Sequence, residues 1–218
     1  MGGRGASSSG GAMTGGASAS QILGTESLVS ARERYPNEVD NVLDVAKDIS
    51  EKYGVAVEDL QIAYMDKSGQ STMAYYDNKG NLAINEKYFD SKKMNQAYDE
   101  CVKNGFHPPR GNMTGIEATT AHEMGHRLTD VAGEKMGNGS WKNNVFALDK
   151  TANTIVSEAQ KNLGYKSVDA LRSKISGYAK QSNAEAISEA FADVYCNGKK
   201  ASKESKAVVS VLEKYLGR

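Results

Sequence analysis

The chain has 218 residues, 39% of them hydrophobic and 25% charged, the make-up of an ordinary globular protein. Lys plus Arg and Asp plus Glu number 27 each, so no net field draws the chain toward nucleic acid or an anionic membrane, and neither is expected as a partner. Two cysteines, Cys101 and Cys196, with no CxxC spacing, exclude a disulfide scaffold, and no run approaches the ~18 apolar residues of a membrane span.

The N-terminus lacks the apolar core of a secretory signal, and Ala6 stands where N-myristoylation needs Ser or Thr. A cytoplasmic or virion-associated location is therefore expected, with delivery into another cell as the alternative. The first twenty residues are almost wholly Gly, Ser, Ala and Thr, too poor in apolar surface to offset their ordering entropy. The expected organisation is a flexible tail over 1–33 and one folded domain over 34–218.

Pro36 suits a first helical turn. Val39, Val42, Leu43, Ala46, Ile49 and Tyr53 recur at helical spacing, and Gly54 is a natural stop. The period then changes. Leu60 to Met65, Thr72 to Tyr76 and Leu82 to Phe89 are short runs of β-type residues, separated by the turn-forming stretches 66–69 and 77–80. They read as a three-stranded antiparallel meander. Beyond Asp90 the pattern is helical: Met94 to Val102 closed by Gly105, then 115 to about 134 after Pro108-Pro109. Further helices are read through Ile155 to Leu163, Val168 to Ile175, Ala184 to Tyr195 and Val208 to Leu216. A small sheet followed by a run of helices predicts an α+β fold.

The second of these helices carries His122-Glu123-Met124-Gly125-His126. Residues four apart differ by about 40° around a helix axis, so both imidazoles can reach one ion from the same face. Glu123, about 100° round from His122, can lean over the open coordination position and take a proton from water. The chain has three histidines and the motif uses two of them. Gly125 costs about 1 kcal/mol against Ala inside a helix, which suggests that something approaches closely there. These features predict one Zn2+ per chain and a zinc-dependent endopeptidase acting on a peptide or protein substrate.

A zinc site of this type needs a third protein ligand. Thr129 and Ala132 stand where a metzincin would have Gly and His. His107, before the Pro-Pro break, reads as a loop or capping residue. The remaining candidates are carboxylates of the stretch 183–193, where Glu185 and Glu189 lie four apart. Ser182 with Glu185 also fits a capping box, and Glu189 and Asp193 also fit a solvated helix face. The spacing leaves these readings open.

The motif, continuing Arg127-Leu128-Thr129-Asp130-Val131-Ala132-Gly133, together with Tyr178 seven residues ahead of Glu185 in Glu185-Ala186-Ile187-Ser188-Glu189-Ala190-Phe191, resembles the catalytic domain of anthrax lethal factor and related bacterial and phage-associated zinc endopeptidases. The resemblance implies a gluzincin-like zincin fold. It makes Glu185 the third ligand, Tyr178 the donor to the developing oxyanion and Glu189 a residue orienting a ligand histidine. Ser188 stands where that pattern has Ala, and Thr129 where it has an acid. The resemblance also implies an extended substrate paired to an edge strand, for which Leu82, Ala83, Ile84 and Asn85 are the expected residues. The rival expectation is a phage or prophage assembly protein with a zincin fold and little turnover, which would make other phage proteins its partners. A toxin delivered into another cell, and a metal-free helical binding protein, are further alternatives.

Overall fold

The computed structural model describes residues 4–7, 22–67 and 69–218. Regular structure after the N-terminal segment begins at Ile22, inside the stretch 1–33 expected to be a flexible tail. Residues 1–3 and 8–21 of that tail lie outside the described residues. Strand β1 is Arg4–Ser7 and β2 is Ile22–Ser27, followed by a short helix α1 over Leu28–Ala31. Leu28 and Ala31 are fully buried, so the ordered fold starts earlier than the composition suggested.

Helix α2 runs Pro36–Tyr53 and stops at Gly54, whose φ of 66° needs the left-handed region. Its buried face is Val39, Val42, Val45, Ala46, Ile49 and Tyr53. Strands β3 (Asp59–Met65), β4 (Thr72–Tyr76) and β5 (Asn81–Asn85) replace the expected runs, but they do not form a meander. The order is β1-β4-β5-β3-β2, with β3 and β5 parallel and the other neighbours antiparallel. The four strands from Ile22 to Asn85 thus make a mixed sheet, which β1 extends along β4.

The reason lies in the loop after β3. It carries β4 past a vacant strand position, which β5 then fills by a hairpin return through 77–80. Asn85, at the end of β5, donates from Nδ2 to the carbonyl of Thr72 at 2.7 Å and to that of Gly69 at 3.4 Å. These two bonds tie the end of β5 to the loop and to the first residue of β4. Every residue of β4, and all of β5 except Asn81, is buried, as for interior strands covered on both faces. The expectation that Leu82, Ala83, Ile84 and Asn85 form a substrate-binding edge is therefore corrected: all four pair with β3, and Leu82, Ala83 and Ile84 also pair with β4 on the other side. Glu86–Tyr88 is a 3-10 turn rather than a continuation of the strand.

The helices follow the sequence pattern closely. They are α3 (Ser91–Lys103), α4 (Gly115–Lys135), α5 (Ala147–Asn162), α6 (Val168–Ile175), α7 (Asn183–Asn197) and α8 (Lys203–Tyr215). The fold is α+β. By its contacts the chain divides into two units. One holds the strands, α1, α2, most of α3 and Met113–Met124; the other holds Val102–Asn112 and Gly125–Arg218. In the second unit α7 is the central element, packed against α5, α6 and α8. Ten consecutive residues of α7, Ala184 to Asp193, are buried, the signature of a helix surrounded on all sides. None of the described helices is long and apolar enough to cross a membrane.

Candidate metal centre

Helix α4 is started by a reciprocal capping box. Thr114 Oγ1 accepts the Glu117 N–H at 3.2 Å, and Glu117 Oε2 accepts the Thr114 N–H at 2.5 Å. One and a half turns later come His122, Glu123 and His126, at 2%, 0% and 0% exposure. Each offers a ligand atom within 4.8 Å of the others. The structure thus brings together, on one helix, the three residues that the motif singled out. Two imidazoles and a carboxylate, withdrawn from solvent and converging at this distance, are the donor types a divalent ion takes.

Glu185 comes from α7. Ser182 caps that helix by accepting the Glu185 N–H at 3.1 Å, so the Ser182 half of the expected capping box is present. The Glu185 carboxylate does something further: its Oε2 lies 3.3 Å from His126 Nε2, with both side chains buried. That separation is longer than the roughly 2.7–2.9 Å of a charge-assisted hydrogen bond. It matches the ~3.3 Å between two ligand atoms on a tetrahedral ion with bonds of about 2.0–2.1 Å. The His122–Glu123–His126 group, with Glu185 beside His126, offers the donor types of a divalent-ion site.

Gly125 is what allows this approach. A Cβ there would lie 2.7 Å from the Ser188 Cα and 3.1 Å from its Oγ, so the two helices touch backbone to backbone beside the site. The close approach expected at Gly125 is present, and Ser188 is the residue that makes it. The Ser188 hydroxyl is fully buried and has no hydrogen bond among the described residues. Thr129, where the resemblance has an acid, returns its hydroxyl to the Gly125 carbonyl at 2.8 Å.

Tyr178 opens a 3-10 turn over Tyr178–Lys180 and is buried. Its ring packs against Phe106 at 5.1 Å and His107 at 5.6 Å between centroids. Glu189, expected to orient a ligand histidine, has its Oε1 3.0 Å from the Nδ1 of His107 and accepts the Ser176 hydroxyl on Oε2 at 2.7 Å. Asp193 is neither ligand nor solvated: it accepts from Asn197 Nδ2 and the Ser202 N–H, tying the end of α7 to the start of α8. His107 and Ser176 escaped the sequence reading as parts of this cluster. No periodicity links positions so far apart; the only signal was a third histidine beside a Pro-Pro break. Cys101 and Cys196 do not form a disulfide. No family model, curated protein or solved structure matches the chain.

Proposed function

We propose that the chain is a zinc-dependent endopeptidase, in which His122, His126 and Glu185 hold one zinc ion. The observation that carries this reading is the 3.3 Å approach of Glu185 Oε2 to His126 Nε2 from separate buried helices, next to a Glu123 that shares the motif's cluster. The resemblance to the lethal factor catalytic domain supports the same assignment. A zinc ion in such a site polarises a carbonyl and lowers the pKa of a coordinated water to about 7.

The chain's own residues do the rest. The Glu123 carboxylate takes the proton of the attacking water and passes it to the leaving amine, the two halves of general acid–base catalysis by one group. The Tyr178 hydroxyl donates to the oxygen on which negative charge develops, an interaction stronger in the transition state than in the ground state. Burial of the site raises the worth of each of these interactions by excluding water.

The test is zinc per chain, by elemental analysis after gel filtration, for the wild type and for Glu185→Ala. One zinc in the wild type and a sharp loss in the variant is the expected outcome. A folded wild type without zinc overturns the reading, and full zinc in the variant moves the third ligand elsewhere.

A further inference from the structure

We propose that His107 is a positioning residue for Tyr178, acting through a buried hydrogen-bond chain with Glu189 and Ser176. The chain begins at Glu189, which is 1% exposed and must find donors for its carboxylate within the protein. Ser176 Oγ accepts the Ala179 N–H at 2.9 Å, which leaves the hydroxyl hydrogen to be donated to Glu189 Oε2 at 2.7 Å. The other oxygen takes the Nδ1 of His107 at 3.0 Å. A carboxylate only accepts, so Nδ1 carries the hydrogen, and that bond fixes both the tautomer and the plane of the imidazole.

That fixed imidazole is one wall of the Tyr178 site. The two rings meet edge to face, 5.6 Å apart at 77°, and Phe106 closes on the same tyrosine at 5.1 Å. The backbone is clamped as well. The N–H of Gly177 donates to the Gly105 carbonyl at 2.8 Å and that of Tyr178 to the Phe106 carbonyl at 2.9 Å. A Cβ on Gly177 would lie 3.0 Å from the Gly105 oxygen and 3.2 Å from the Phe106 Cα, so the two segments are seated directly on one another. Ser176 and Ala179, on either side of Tyr178, are themselves members of the hydrogen-bond chain. Residues 105–107 and Glu189 thus hold Tyr178 from its backbone, its flanks and its ring face. A buried polar chain is a poor way to gain stability compared with apolar packing, but it specifies a single geometry. A hydroxyl that must meet a developing oxyanion needs a fixed geometry.

The contribution of Tyr178 to turnover rests on the peptidase reading; its immobilisation by His107 does not. The first arm of the test is therefore the ring-flip rate of Tyr178, by NMR with ring-labelled tyrosine on the metal-free wild type, His107→Ala, His107→Asn and Ser176→Ala. His107→Ala should speed the flips roughly tenfold or more. His107→Asn, whose amide donor can take the place of Nδ1, should restore the slow rate. Ser176→Ala tests the same chain should His107→Ala not fold. Unchanged ring flips in a folded His107→Ala or Ser176→Ala overturn the proposal. In the zinc-loaded enzyme, His107→Ala should lower kcat roughly ten- to a hundredfold with KM unchanged, and should add nothing further in a Tyr178→Phe background. Full additivity of the two losses would overturn it too, since His107 would then act by a separate route. Absence of zinc or turnover in the wild type would count against the peptidase reading, and the ring-flip arm would still decide this one.

Discussion

Replacing Gly125 by Ala sets two effects of opposite sign against each other. Helix propensity favours Ala over Gly by about 1 kcal/mol. Against it, the new Cβ would lie 2.7 Å from the Ser188 Cα, where carbon atoms need about 3.5–4.0 Å. The obstacle is backbone, so it cannot be relieved by a rotamer change; α4 and α7 must separate locally by about 1 Å. Overpacking of this kind costs typically 1–3 kcal/mol, and a backbone clash belongs at the upper end. We expect Gly125→Ala to be destabilised by about 2 kcal/mol net, a drop of roughly 4–8 °C in Tm. The same displacement pulls Glu185, one turn before Ser188, away from His126, stretching the 3.3 Å separation. Zinc affinity should fall roughly 10–100-fold, as when the support of a metal ligand is lost. The assays are thermal unfolding of the metal-free protein and a zinc titration against a chromophoric chelator. Ser188→Gly should rescue only part of the loss, because it removes the contacts to Cβ and Oγ but leaves the one to Cα. A Gly125→Ala protein more stable by the full propensity gain, with unchanged zinc affinity, would refute the close approach.

Glu123→Gln should retain zinc and fold while losing nearly all peptidase turnover; activity within tenfold of wild type would remove Glu123 as the general base. Ser188→Ala should raise stability by about 1 kcal/mol in chemical denaturation, since it deletes a buried hydroxyl with no hydrogen bond among the described residues. Asp130 accepts the Trp141 N–H at 2.6 Å and meets Arg127 at 3.3 Å. Asp130→Ala should therefore cost about 2 kcal/mol, with Asp130→Asn recovering part of it. Burial in the sheet, helped by Asp77, pushes the Tyr75 phenol up to about 12, against about 10 in the unfolded chain. Its contribution is complete below pH 10 and is lost as the pH rises toward 12, about 2 kcal/mol in all. Tyr75→Phe should flatten that stretch of the stability profile, and an unchanged slope would remove Tyr75 as its source.

Much of the local structure was legible in the sequence. Pro36 and Gly54 bound α2 at the expected residues, and α6 covers the expected Val168–Ile175. His122, Glu123 and His126 share a helix, as their spacing required. These features depend on chain stereochemistry over one or two turns, and that is written in consecutive residues. The strand order was not legible. β4 and β5 are buried on both faces, so their side chains carry no alternation that would fix which neighbour each one pairs with. The position of β5 between β4 and β3 is set by pairing with both strands, and Asn85 adds bonds to the carbonyls of Gly69 and Thr72. Glu185 could be read as a cap or a ligand until the packing of α7 at Gly125 set its carboxylate beside His126. The pairing of His107 with Glu189 left no trace in either local pattern. Periodicity and capping act between residues a few positions apart, whereas a buried carboxylate takes the partner that tertiary packing brings to it, however distant along the chain.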